Sequence, residues 1–447
     1  MQKRPTAWVH RLRARAGAPL HAVAHHRRGI ALEFSRYRTT GLGAFAAFLA
    51  VLGPGLLAGL SDDDPAGITT YSILGADHGY RLLWIIPAST ILLVQFHLVA
   101  MRIGAASGKG FVGVIRSRWG HTWGYVAVAG LLLANFGTIC AEYAGIAAAC
   151  SLVGIPSWIS VPIAAFLIAL VVVLGSFHRV ERVLLVVSTT LALYIVDGIM
   201  AKPDWSLVWR NTFLPNMPQD ATAWIAVAAT LGTTLAPWGL AFIQSYAVDK
   251  KITVGNLRFE RVDVVIGSLL TGVIGLAIAV ACAATLHRAG AHIEDARDAA
   301  PALRPLGGAF ATVLFGAGLL GASLLAAAIV PLATAYSIAE GVGSPASLDL
   351  DARHFRLFYV AFVVLTGVAA GLVSLPGLSL IPLIYGSQVV NAILLPLHVI
   401  ALQLLAGDPQ IMGEARSGRA TRIAGWVSIV LILACIAALA WSWSGAQ

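Results

Sequence analysis

The sequence predicts an all-α polytopic membrane protein with about eleven spans, and three observations carry that reading. Hydrophobic residues make up 58% of the 447 and charged residues 11%, against roughly 25% charged in a soluble domain. The apolar residues gather in runs long enough to cross a bilayer, which takes roughly 20 residues per helix. Two of those runs, the first and the sixth, are interrupted by Pro-x-Gly. A soluble fold would leave hundreds of apolar residues with no core to enter.

The spans read, in order, as about 43–76 (broken), 82–106, 122–152, 157–176, 183–201, 221–248 (broken), 263–286, 307–338, 355–374, 377–405 and 421–443. The first runs from Phe45 to Leu60, stops at Ser61-Asp62-Asp63-Asp64-Pro65-Ala66-Gly67 and resumes to Ala76. The sixth runs from Ala221 to Leu235, stops at Ala236-Pro237-Trp238-Gly239 and resumes to Val248. Pro65 and Pro237 each remove a backbone donor and clash with the preceding turn, while Gly67 and Gly239 add freedom. Backbone released at membrane depth has to line a polar cavity or be buried in protein. Matching interruptions in two halves of a chain point to a transporter's substrate site.

Five spans per unit is an odd number, so spans 1–5 and 6–10 insert with opposite orientation. The domain reading follows: a basic tail over residues 1–40, a transport core over 41–405 made of repeats at about 43–201 and 221–405, and an additional helix at 421–443. Lys and Arg set the orientation. Of the 30, the N-terminal tail and alternate loops on its side hold 24. The N-terminus is therefore expected in the cytoplasm and the C-terminus outside, in a bacterial inner membrane. The net charge of +9 follows this topology and implies no nucleic-acid partner. Residues 3–38 read as a solvated tail rather than a lipid-binding segment. Cys140, Cys150, Cys282 and Cys435 lie in apolar runs without metal-ligand spacing and read as packing residues. Phosphate-binding glycine loops, HExxH and nucleophile–base arrangements are not found, so the chain does not read as an enzyme.

Gly53-Pro54-Gly55 followed by Asp64-Pro65-Ala66-Gly67 resembles the first helix of the Nramp divalent-metal transporters, where the motif is Asp-Pro-Gly-Asn. The segment Gly75-Ala76-Asp77-His78-Gly79-Tyr80-Arg81-Leu82-Leu83-Trp84, the pair Ala141-Glu142, Lys202-Pro203-Asp204-Trp205 and Ser387-Gln388-Val389-Val390 fall in family order. The resemblance covers roughly residues 40 to 440. It implies a LeuT-like fold, with two inverted five-helix repeats and an ion held between the breaks. Three positions depart from the pattern: Gly67 stands for Asn, Ala236-Pro237-Trp238 for Met-Pro-His, and Ile139 for an Asp three residues before Glu142. These departures are similar to the Nramp-related magnesium transporters, which lack the ligand methionine.

Thioethers select soft transition metals, whereas oxygen ligands suit Mg²⁺ and Mn²⁺. Ala236 supplies no side-chain ligand and Gly67 leaves extra room, which suits Mg²⁺, an ion that dehydrates reluctantly and keeps waters. The expected ligands are Asp64 as anionic anchor, the backbone carbonyls of Thr233 and Ala236, and Gln388 with Asn391 from span ten. Asp62, Asp63, Gly67 and Trp238 are expected in the vestibule or supporting the site. Each assignment has a plainer alternative. The aspartates would also cap a half-helix, and Gln388 would also serve as interhelical glue. Three carboxylates at mid-membrane are nonetheless expensive without a cation. Glu142 reads either as a proton carrier, as the resemblance implies, or as a neutral structural acid. His97 and His398 read as packing residues, and Asp249, Lys250, Arg258 and Arg261 as solvated.

The leading expectation is a monomeric secondary transporter, without cofactor, that imports hydrated Mg²⁺, with Mn²⁺ as a secondary ion, by alternating access and without proton coupling. The alternatives are a proton-coupled Mn²⁺/Fe²⁺ transporter of ordinary Nramp type and an amino-acid transporter on the same fold. Three acids at the first break argue against a substrate carboxylate there.

Overall fold

The computed structural model describes residues 63–173, 193–217, 220–294, 296–303, 308, 311–344 and 356–444. The chain divides into two units, Met1–Gly53 and Pro54–Gln447, and every described residue belongs to the second. Asp62, the first half of span one and the start of span five lie outside the described residues. Every regular element among the described residues is a helix. The longer ones are α1 (Pro65–His78), α2 (Ile85–Ser107), α3 (Phe111–Trp119), α4 (His121–Ser151), α5 (Ser157–Val173), α6 (Leu193–Met200), α7 (Trp205–Phe213), α8 (Ala221–Thr234) and α9 (Pro237–Asp249). They continue with α10 (Leu257–Thr285), α11 (Ala311–Val342), α12 (Arg356–Val373), α13 (Leu380–Gly407) and α14 (Arg419–Ser444). Among the described residues eight stretches are long and apolar enough to cross a membrane, with α8 and α9 together making one of them.

The local chemistry explains where these helices start and stop. Asp64 caps α1: its Oδ1 accepts the Gly67 N–H at 2.7 Å, and Pro65 fills the first helical position, where a missing N–H costs nothing. Asp220 caps α8 in the same way, accepting the Ala223 N–H at 2.7 Å. Between α8 and α9 the chain leaves helical geometry at Leu235 (φ −109°, ψ 45°) and Ala236 (φ −56°, ψ 132°). Pro237 has no N–H to return to the Thr233 carbonyl four residues back, so α8 cannot continue through it.

This broken span lies at the centre of the bundle. Of its hydrophobic window 94% is buried inside the protein, against 28% for α14, which stands at the periphery. Around it, α4 packs on α11 and α13, α10 on α1 and α2, and α8 on α13. Small residues set the closest approaches. A methyl group on Gly232 of α8 would collide with the Gln388 carbonyl of α13, and one on Gly145 of α4 with the Pro65 ring. Both contacts draw neighbouring helices onto the two breaks. Trp238, Tyr71, Tyr143, Tyr336 and Phe96 fill the space between the helices and are fully buried.

Two segments read as loops contain helices. In α7, Trp205, Trp209 and Phe213 stack along one exposed face with ring centroids 6.1 and 5.9 Å apart, and Asp204 caps it. An aromatic stripe on a short helix between spans suits a membrane interface. The other, α3, lies between spans two and three and is clamped by Glu340 of α11. That carboxylate accepts the Val112 and Gly113 N–H groups, both at 3.1 Å, and the Ser245 hydroxyl of α9 at 2.7 Å. Asp249, expected to be solvated, instead accepts the Tyr336 hydroxyl at 2.8 Å, because α9 ends against α11.

Glu340→Ala strands two backbone donors and a hydroxyl around a part-buried space. Hydrogen bonds to a charged group contribute about 1.5–3 kcal/mol each, so the loss is expected to be about 3 kcal/mol or more. A thermal melt in detergent checks this, and an unchanged midpoint would refute the clamp.

At the opposite end, the tip of α1 is tied to the loop before α11. His287 Nδ1 donates to the Ala76 carbonyl at 2.8 Å, and His292 Nδ1 donates to Asp77 Oδ1 at 2.9 Å. The hydrogen bond to Asp77, then its charge, pushes the His292 pKa above the ordinary 6.5. A group raised on folding adds stability below its unfolded value and loses it as pH rises through the folded value. Amide protection at residues 287–294, taken relative to the intrinsic exchange rate at the same pH, is therefore expected to fall as pH climbs past that range. His292→Ala should remove this fall, and protection that stays constant with pH in the unsubstituted protein would refute the tie.

Candidate metal site

The two breaks and α13 supply the polar groups that sequence reasoning singled out. At the first break Asp63 and Asp64 are non-helical and buried, 0% and 4% exposed. The Asp64 carboxyl caps α1 and at the same time faces Glu142 of α4. Glu142 is 0% exposed, and its oxygens make no conventional hydrogen bond to any other group among the described residues. Two facing carboxylates repel, and at membrane depth neither is solvated. A proton or a cation between them relieves both costs.

At the second break the helix end exposes backbone oxygen. The Thr233 carbonyl has lost its helical partner to Pro237, as expected. The Ala236 carbonyl is less free than expected, since it accepts the Gly239 N–H at 3.0 Å. Only its second lone pair remains for a ligand. Ala236 itself presents a methyl group, and Gly67, buried at the other break, presents no side chain. Trp238 is fully buried with its ring against Phe242, and its indole N–H has no hydrogen-bond partner among the described residues. It packs beneath the break.

On α13, Gln388 and Asn391 are both buried and bonded to one another. Asn391 Nδ2 donates to Gln388 Oε1 at 3.0 Å and to Thr138 Oγ1 of α4 at 2.9 Å. Gln388 Nε2 donates to Ser387 Oγ at 2.6 Å. Asn391 thus joins α13 to α4, while the Gln388 bonds to Ser387 and Asn391 stay within α13. Asn391 Oδ1 is buried and has no partner among the described residues. Thr138 lies one turn before Glu142 on the same helix, so polar side chains follow one another from Asn391 through Thr138 and Glu142 to Asp64, although Thr138 gives its hydroxyl to the Ala134 carbonyl and not to Glu142. Close packing of Gly232 on Gln388 brings the second break to the same helix.

Thr138 was missed by sequence reasoning, as was a hydroxyl cluster below the second break. There Tyr71 Oη lies 3.0 Å from Thr234 Oγ1, and Ser89 Oγ donates to Thr234 Oγ1 at 3.1 Å. These hydroxyls sit in apolar runs with no spacing to mark them. Among the described residues no group of three or more His, Cys, Asp or Glu side chains could hold a metal. A cation here would draw on one or two carboxylates, amide and backbone oxygens, and water.

Comparison with known proteins agrees with this architecture. The family model described as natural resistance-associated macrophage protein-like (Nramp) matches residues 55–442. A divalent metal cation transporter MntH of Deinococcus radiodurans is 28% identical over 461 residues, covering 99% of this chain and 97% of the relative. The MntH of Yersinia pestis is 26% identical over 402 residues, covering 86% and 93%. Among solved structures, an Eremococcus coleocola manganese transporter in complex with an aromatic bis-isothiourea substituted compound superposes with TM-score 0.67 at 20% identity, covering 90% of this chain and 88% of that one. A nucleobase-cation-symport-1 family transporter in a closed conformation follows at TM-score 0.51 and 14% identity, covering 88% and 92%. These two likenesses speak to the fold. The chain belongs to the Nramp family, as an integral membrane protein of LeuT-like architecture and not an enzyme.

Proposed function

We propose that the protein is a secondary transporter importing a hydrated divalent cation, Mg²⁺ in preference to Mn²⁺, by alternating access. Relatives named as divalent metal cation transporters support the general class. The observation that carries the finer reading is the donor set at the breaks. Asp64 is buried at the first, the Thr233 carbonyl is released at the second, and Ala236 and Gly67 add no side-chain ligand. A site of few hard oxygens with spare room favours an ion that keeps its water. Gln388 and Asn391 act on that ion through Asn391 Oδ1 or a bridging water. Asp63 lines the approach. The basic end of the bundle is read as cytoplasmic, in a bacterial inner membrane, and the unit of function as one chain.

Two charges moving inward gain roughly 4.6 kcal/mol per 100 mV, enough to drive uptake without protons. One observation favours a second reading. Glu142 faces Asp64 and is well placed to hold a proton that leaves when a cation binds, which fits proton-coupled Mn²⁺ or Fe²⁺ transport. A binding titration with Mg²⁺ and Mn²⁺ in competition separates the two. Mg²⁺ displacing Mn²⁺ at comparable concentration supports the first, and Mn²⁺ binding that ignores a large Mg²⁺ excess refutes it.

A further inference from the structure

The basic end of the bundle carries a two-part crevice remote from the polar line of the metal site. Its apolar part, about 380 Å³, lies between α3, α4 and α13 and is walled by Phe111, Trp123, Val126 and Leu397. Its polar part, about 500 Å³, is bordered by Arg118, Gln403, Arg422 and Trp426. Trp119 and Leu404 line both, so the two parts are continuous.

Each part selects a different chemistry. A slot of Trp, Phe, Val and Leu takes hydrocarbon. The polar mouth brings together two guanidinium groups, Arg118 and Arg422, and one carboxylate, Asp408, so cations outnumber anions two to one. Arg118 gives its Nε–H to Asp408, but a guanidinium has five N–H donors in a fixed fork, and the outer ones stay available for a phosphate. Arg422 has its backbone carbonyl bound by Gln403 at 2.7 Å, which holds the start of α14 against α13 and places the side chain at the mouth. Indoles at this depth are the usual marker of the headgroup level. On the slot wall His398 is 1% exposed. Its Nδ1 donates to the Leu394 carbonyl at 3.0 Å, leaving Nε2 an acceptor that meets no donor among the described residues. A buried acceptor left open beside a cavity marks a place that a hydroxyl or water belongs.

We propose that this crevice binds an anionic phospholipid of the cytoplasmic leaflet. The phosphodiester lies between Arg118 and Arg422, and one acyl chain runs into the slot past Leu404 toward His398. Charge complementarity selects the occupant. The positive-inside reading turns this end toward the anionic leaflet, and the arginine-rich N-terminal tail carries the wrong sign for the mouth. The lipid also braces transport machinery. Its slot is built partly on α3, whose first turn is held to α9 and α11 by Glu340. A filled crevice steadies the contact between α3 and the second half of the broken helix.

The test uses the full chain in nanodiscs and a phosphatidylglycerol bearing a photoreactive group on one acyl chain. Crosslinks are expected at residues 119–126 and 397–404. Excess unlabelled phosphatidylglycerol should displace them, whereas phosphatidylcholine or inorganic phosphate should not. Arg118→Gln with Arg422→Gln is expected to reduce labelling by about 25-fold, at roughly a fivefold loss for each of the two cations near an anionic surface. Leu404→Trp fills the slot and should block labelling with the arginines intact. Equal competition by phosphatidylcholine means ordinary surrounding lipid and overturns the proposal. Competition by inorganic phosphate alone reduces it to an ion site and overturns it too. The competition arms need no variant, so a substitution that impairs folding leaves the test decisive.

Discussion

Asp64→Ala is expected to abolish divalent-cation uptake, by about 100-fold or more. The estimate follows from removing one partner of a buried charged interaction, about 3–5 kcal/mol, at 1.4 kcal/mol per tenfold. Asp64 does two jobs, and the test has to separate them. Its Oδ1 caps α1, and losing a cap costs about 1 kcal/mol, too little to unfold a chain of this size. Its charge faces Glu142 across the break and would anchor the cation. Asn is also a good cap but carries no charge. Asp64→Asn should therefore restore the thermal midpoint lost in Asp64→Ala without restoring uptake. Full transport by the Asn variant would show that the residue matters only as a cap.

Ala236→Met is expected to shift preference toward Mn²⁺ by about tenfold, roughly 1.4 kcal/mol. The thioether would enter beside the Thr233 carbonyl and turn an oxygen site into a mixed one. Ala236 is only 3% exposed, so a larger side chain also crowds its neighbours, at about 1–3 kcal/mol. Ala236→Leu carries the same bulk without sulfur. It should lower uptake of both ions while leaving their ratio unchanged. Uptake of Mg²⁺ and Mn²⁺ measured side by side checks both variants. An identical shift in the Leu variant would assign the effect to size instead of ligand softness.

The parts of this architecture that were legible in the sequence are those written by local chemistry. Pro237 breaks the sixth span wherever it is placed, because the missing N–H belongs to the residue itself. Asp64-Pro65 marks the start of α1 for the same reason. Glu142 was visible as a buried acid, yet its facing Asp64 was not, since 77 residues and a helix crossing separate them. The Asn391–Thr138 bond was hidden likewise: a threonine in an apolar run has no signature until another helix arrives beside it. Helices α3 and α7 went unread because each has only 9 residues, too few for periodicity to stand out between long spans. Asp249 read as solvated from its place beside Lys250, and only the packing of α9 on α11 brings Tyr336 to it. Ala236 shows the limit in the other direction. Its missing ligand was legible, but the turn that occupies its carbonyl depends on Gly239 folding back.

The most direct measurement is ion flux into proteoliposomes holding both a Mg²⁺-sensitive dye and a pH indicator, under an inside-negative potential. Mg²⁺ should accumulate in proportion to the potential, with internal pH constant and Asp64→Asn silent. Exclusion of Mg²⁺ while Mn²⁺ accumulates in step with internal acidification would contradict an oxygen-only site for a hydrated cation, and would assign Glu142 the proton.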